Sequence, residues 1–82
     1  MKVYIFDPNG YGDFYIILSD SADNALTSLK TFFNNKVKND KQFSKYYERY
    51  VEKWENATID NLPVGYCIKT LNAGDVHEGE YS

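Results

Sequence analysis

Residues 2–7, KVYIFD, set Val3 and Ile5 against Tyr4 and Phe6. A strand that is apolar on both faces belongs in the interior of a sheet or under cover on both sides. PNGYG follows at 8–12. Its Asn and Gly residues tolerate the positive φ that tight hairpins require. DFYIILS at 13–19 is rich in β-branched and aromatic residues and reads as the return strand. Together they predict a β-hairpin from 2 to 19.

The period then changes. In SDSADNALTSLKTFFNNKV, Ala22, Ala25, Leu26, Leu29, Phe32, Phe33 and Val37 share one side of a helical wheel. They span roughly 140° at about 100° per residue. Ser21 or Asp20 suits the N-cap, and Asp23 suits the positive end of the helix dipole. NNKVKND at 34–40 supplies breaker chemistry, and Asp40 is placed to cap a second helix over 41–55. There FSKYYERYVEKW puts Phe43, Tyr46, Tyr47, Tyr50, Val51 and Trp54 on one arc of about 140°, with Tyr46 and Val51 at its edges. ATID at 57–60 reads as a short strand, NLPVG at 61–65 as a turn, and YCIKTL at 66–71 as a strand.

The order ββααβ(β) predicts an α+β fold, an antiparallel sheet with both helices on one face. Residues 1–71 form the compact domain and 72–82 an acidic arm. With 82 residues the chain holds one small core, and its 17% aromatic content fills that core with few residues. No apolar run reaches the roughly 18 residues of a membrane span. The single cysteine, Cys67, leaves no internal disulfide framework. The expectation is a soluble cytoplasmic protein.

The net charge of −3 is unevenly spread. Residues 1–29 carry one lysine against four aspartates. Residues 30–53 carry six lysines and one arginine against three acids. Residues 54–82 carry one lysine against five acids. Solvated helix faces account for the basic middle, which also offers a nucleic-acid-binding alternative. Against that alternative, the tyrosines of 43–54 lie opposite most of its basic residues, and Glu48 and Glu52 interrupt the basic face.

Catalytic patterns are poorly served. GYGD at 10–13 joins two strands rather than a strand and a helix N-terminus, and Asp7 and Asp13 flank it, so it does not suit phosphate. Asp75, His77 and Glu78 fall short of the His- and Cys-rich ligand sets of zinc sites. Nothing orients His77 toward Cys67 as a nucleophile's base. No cofactor, metal site or enzymatic activity is expected.

Binding is the remaining class. Tyr and Trp give large contact areas with few rotors. Phe43, Tyr47, Tyr50 and Trp54 read as core, leaving Tyr46 and Val51 as contact candidates. A homodimer through helix 41–55 is an alternative, since the four core rings also step at seam spacing. A second surface is acidic. Asp7, Asp13, Asp75, Glu78 and Glu80, with Tyr11 and Tyr81, offer a basic groove the counter-charge that phosphates do.

A strand KVYIFD, a Gly turn, a strand FYIIL and SDSADNAL opening an amphipathic helix make a layout that resembles small phage- and prophage-encoded proteins. Anti-CRISPR inhibitors are among them. The resemblance covers the first half of the chain. It implies a non-enzymatic inhibitor that occupies the surface of a larger host defence protein or nucleoprotein complex, inside the host cytoplasm.

Overall fold

The computed structural model describes residues 1–10 and 12–76. Among them run β1 (Lys2–Asp7), β2 (Tyr15–Ser19), α1 (Ala22–Asn39), α2 (Ser44–Glu55) and β3 (Cys67–Leu71). The strands form an antiparallel sheet in the order β2-β1-β3. The expected α+β layout, ββααβ, is the one observed.

β1 is the central strand, which suits its two apolar faces. Its register with β2 runs from Lys2 opposite Ser19 to Phe6 opposite Tyr15. Against β3 it runs from Val3 opposite Leu71 to Asp7 opposite Cys67. Side chains alternate across a strand, so Tyr4, Phe6, Tyr15, Ile17 and Ile68 share one face. That face carries the core: Tyr4 and Phe6 are buried with Ala25, Leu26, Leu29, Phe33, Trp54 and Ala57. Tyr15, Ile17 and Ile68 pack against them.

Trp54 is the centre of this core and is fully buried. Its ring lies 5.8 Å from Phe6, 6.4 Å from Tyr15, 6.1 Å from Phe33 and 4.9 Å from Tyr66, centroid to centroid. Most of these pairs meet edge to face, the arrangement that ring quadrupoles favour. Phe33 in turn stacks on Tyr50 at 5.2 Å. The rings of the opening strand, the return strand and both helices therefore meet at one point.

α1 starts where its capping chemistry directs. Ser21 Oγ accepts the Asn24 N–H at 3.1 Å, Asp23 sits in the first turn, and Lys36 and Lys38 sit in the last. Lys30, midway along α1, ties the two helices together. Its Nζ donates to the carbonyls of Glu55 at 3.2 Å and Ala57 at 2.7 Å, just where α2 ends. A cation there satisfies carbonyls left without helical partners and meets the negative end of the dipole.

Three local expectations are corrected. The described residues of the hairpin connection, 8–10 and 12–14, carry no strand, so the return strand starts at Tyr15, not Asp13. Tyr66 Oη donates to the Asp13 carbonyl at 2.9 Å, two residues before β2. Asp40 Oδ1 does accept the Phe43 N–H at 3.1 Å, but residues 41–43 form a turn and regular helix starts at Ser44. The strand expected at 57–60 reduces to a bridge between Thr58 and Asn61. Ala57 is drawn into the core there, and its carbonyl is taken by Lys30.

Replacing Lys30 by Met keeps the aliphatic stem and removes both bonds to the end of α2. The expected loss is about 1–2 kcal/mol, or about 4–8 °C of Tm per kcal/mol in a domain this small. A thermal melt followed by circular dichroism measures it. An unchanged Tm would show that this tie does not hold the helix pair.

Candidate functional site

The sheet has two faces and the helices cover one. On the other, alternation places Val3, Ile5, Ile16, Leu18, Lys69 and Leu71, with Asp7 and Cys67 at one end. Ile5 is fully buried at its centre, whereas Ile16 and Leu18 are 59% and 62% exposed. Val3 and Leu71 are half-buried, and exposed Met1 lines a hollow with them and Asp75. This is an aliphatic surface without helical cover. Its charges are matched internally: Lys69 Nζ donates to Asp7 Oδ2 at 2.8 Å. That bond holds the Lys69 ammonium above its ordinary pKa.

The acidic candidates divide between the two ends of the sheet. Asp7 is half-buried, and beyond Lys69 it accepts the Asn9 N–H at 3.0 Å. Asp13 is exposed in the loop after it. Asp75 lies past the end of β3, where its Oδ2 accepts the Asn72 N–H at 2.8 Å and closes a turn. Asp7 pairs with Cys67 and Val3 with Leu71. Asp7 and Asp75 are thus separated by about 13 Å or more, four residues at about 3.4 Å each. Tyr11, Glu78, Glu80 and Tyr81 lie outside the described residues.

On α2, Tyr46 is 47% exposed, and its hydroxyl lies 2.9 Å from that of Tyr50. Val51 packs against the core and lines a small cavity with Lys30, Phe33, Asn34, Trp54 and Glu55. Tyr47 and Tyr50 also pack inward, so the aromatic stripe is largely spent inside the domain. Phe43, placed with the core by its spacing, is instead 48% exposed, because it sits in the turn before α2. Phe32 of α1, at the edge of its apolar arc, is 43% exposed, with the Lys36 ammonium 5.6 Å from its ring.

Basic residues of the middle segment are partly engaged. Lys36 also lies 5.7 Å from the Tyr47 ring, and Lys53 lies 5.0 Å from that of Tyr66. Lys45 and Arg49 remain exposed on α2. Among the described residues, no three His, Cys, Asp or Glu side chains gather as a metal site, and no helix is long and apolar enough to cross a membrane.

The phenols near the core carry a distinct electrostatic signature. Burial raises the pKa of Tyr15 and Tyr66, with Asp13 adding to both, and the bond to Tyr46 together with burial raises that of Tyr50. An acid with a raised folded-state pKa leaves stability intact below its unfolded value and loses it at higher pH. Stability toward urea should therefore stay level up to the ordinary tyrosine value of 10.0 and fall above it. Tyrosinate absorbance from these side chains should appear at higher pH in the folded domain than in the unfolded chain. Tyr15→Phe should shallow the alkaline fall, and an equal fall in that variant would contradict the burial assigned to this phenol.

Comparison with family models, with curated proteins and with solved structures gave no match.

Proposed function

We propose that the protein is a non-enzymatic binding protein that occupies the surface of a larger protein, and that the open face of its sheet makes the contact. One observation carries this: Ile16 and Leu18 stand exposed beside Val3, Ile5 and Leu71 on a face that neither helix covers. Contiguous exposed apolar surface of this kind is the usual mark of an interaction site. The Asp7–Lys69 pair neutralises its own charges on that face, which favours an apolar patch on the partner rather than a strongly charged groove.

Such an occluding surface suits the inhibition of a host defence protein, the role implied by the layout's resemblance to phage-encoded inhibitors. A homodimer through α2 has less to work with. Trp54 is buried and Tyr47, Tyr50 and Val51 pack on the core, leaving Phe43 and Tyr46 as the exposed rings. Nucleic-acid stacking on α2 meets the same shortage of outward-facing rings.

The test compares proteins captured by the parent, by an Ile16→Lys/Leu18→Lys variant and by a Lys45→Glu/Arg49→Glu variant. All three are first checked for native tryptophan emission. A partner lost only by the sheet-face variant, with affinity down at least about tenfold as befits an interface hot spot, is the expected result. Equal retention by the sheet-face variant, or substrate turnover by the purified chain, would overturn the assignment.

A further inference from the structure

β2 lies at the edge of the sheet, with β1 on its inner side. An antiparallel edge strand turns alternate N–H and C=O groups outward, a ready template for another strand. Natural edges are usually protected by charge, proline or a bulge. Tyr15–Ser19, YIILS, contains neither a charged residue nor a proline, whereas β3 carries Lys69. Beside β2 runs a groove of about 290 Å³, walled on its far side by Ser28, Leu29 and the exposed ring of Phe32, and at one end by Phe14.

A strand added at about 4.8 Å from β2 would drop alternate side chains into this groove. The others would lie beside Ile16 and Leu18 on the open face. Both sets of sites are apolar, so the fitting segment is a continuous aliphatic or β-branched run. The ends of the edge differ in character. Exposed Asp13 precedes β2, and exposed Asp20 and Asp23 follow it. Lys36 is drawn toward the Phe32 and Tyr47 rings. Lys2 lies one strand inward, opposite Ser19.

The same acids reject a second copy. Antiparallel pairing of β2 with itself about Ile17 would set Asp13 of one copy near Asp20 of the other, twice. Parallel pairing would set Asp13 near Asp13 and Asp20 near Asp20. Like charges facing across strands are destabilising. From this placement we infer that the β2 edge captures, by strand addition, an extended segment of a partner protein: about five aliphatic or β-branched residues flanked on both sides by Lys or Arg. This capture uses the backbone edge of β2 and adjoins the open face at Ile16 and Leu18.

Fluorescence anisotropy with three labelled nine-residue peptides tests it on the full chain. One carries five Val, Ile and Thr residues between pairs of Lys and Arg. The second has Glu in place of the flanking basic residues, and the third has Pro at its centre. The first should bind at least about tenfold more tightly than either other peptide. Its binding should slow amide hydrogen exchange in Tyr15–Ser19, and Asp13→Lys/Asp20→Lys should reverse the preference between basic and acidic flanks. Absence of binding, equal binding of all three, or protection confined to other strands would overturn the inference. So would a dimer of the free chain with those amides already protected. Loss of the protein partner from the Ile16→Lys/Leu18→Lys variant follows from either contact, since both residues belong to β2, whereas the peptide assay on the parent chain, with its flank reversal at Asp13 and Asp20, bears on the edge alone.

Discussion

Everything else in this domain depends on the burial of Trp54 among Phe6, Tyr15, Phe33 and Tyr66. A chain of 82 residues has few residues to spend on a core. It concentrates them in rings contributed by two strands, both helices and the segment before β3. Net stability for this length is on the order of 4–12 kcal/mol, and emptying such a site costs about 3–5 kcal/mol. One side chain thus carries a large fraction of the total. The indole N–H is buried with no hydrogen-bond partner among the described residues. A lost bond of that kind costs about 1–3 kcal/mol, which the packing of four neighbouring rings offsets.

The hub also decides what remains outside. Both helices must turn their apolar stripes to the same sheet face to reach it, and α1 and α2 pack on each other through Phe33 and Tyr50. Among the described residues, no helix is left for the opposite face. Val3, Ile5, Ile16, Leu18 and Leu71 therefore form an aliphatic surface as a direct consequence of how the aromatic side is satisfied. Core and candidate site are the two sides of one sheet. The edge strand β2 serves both, with Tyr15 and Ile17 turned inward and Ile16 and Leu18 outward.

Much of the architecture was legible in the sequence. Ring spacing over 43–54 separated Trp54, Tyr47 and Tyr50 as core residues from Tyr46 at the rim. The capping pattern at Ser21 located the start of α1, and β3 fell within the strand read at 66–71. Phe43 and Val51 exchanged places for a local reason, since the turn before α2 carries Phe43 outward while Val51 packs on the core; the other errors trace to long-range contact. The side chains that bond the carbonyls of Asp13 and Ala57 are Tyr66 and Lys30, distant in sequence. Asp7 looked like free surface charge because its partner, Lys69, arrives on a strand 62 residues later. The open face was missed for a related reason. YIILS is apolar on both faces, and a single sequence does not reveal which strand is central or which face the helices take. The available clue was arithmetic: two short helices can cover one face of a sheet, not two.

The most direct measurement is the reactivity of single cysteines placed on consecutive residues of β2. In a Cys67→Ser background, Ile16→Cys, Ile17→Cys and Leu18→Cys each present one thiol to a soluble alkylating reagent at low protein concentration. If the helices cover one face only, positions 16 and 18 should react at rates close to those of the unfolded chain, and position 17 should be strongly slowed until the domain is denatured. Equal protection at all three positions, or protection at 16 and 18 with reaction at 17, would contradict the account.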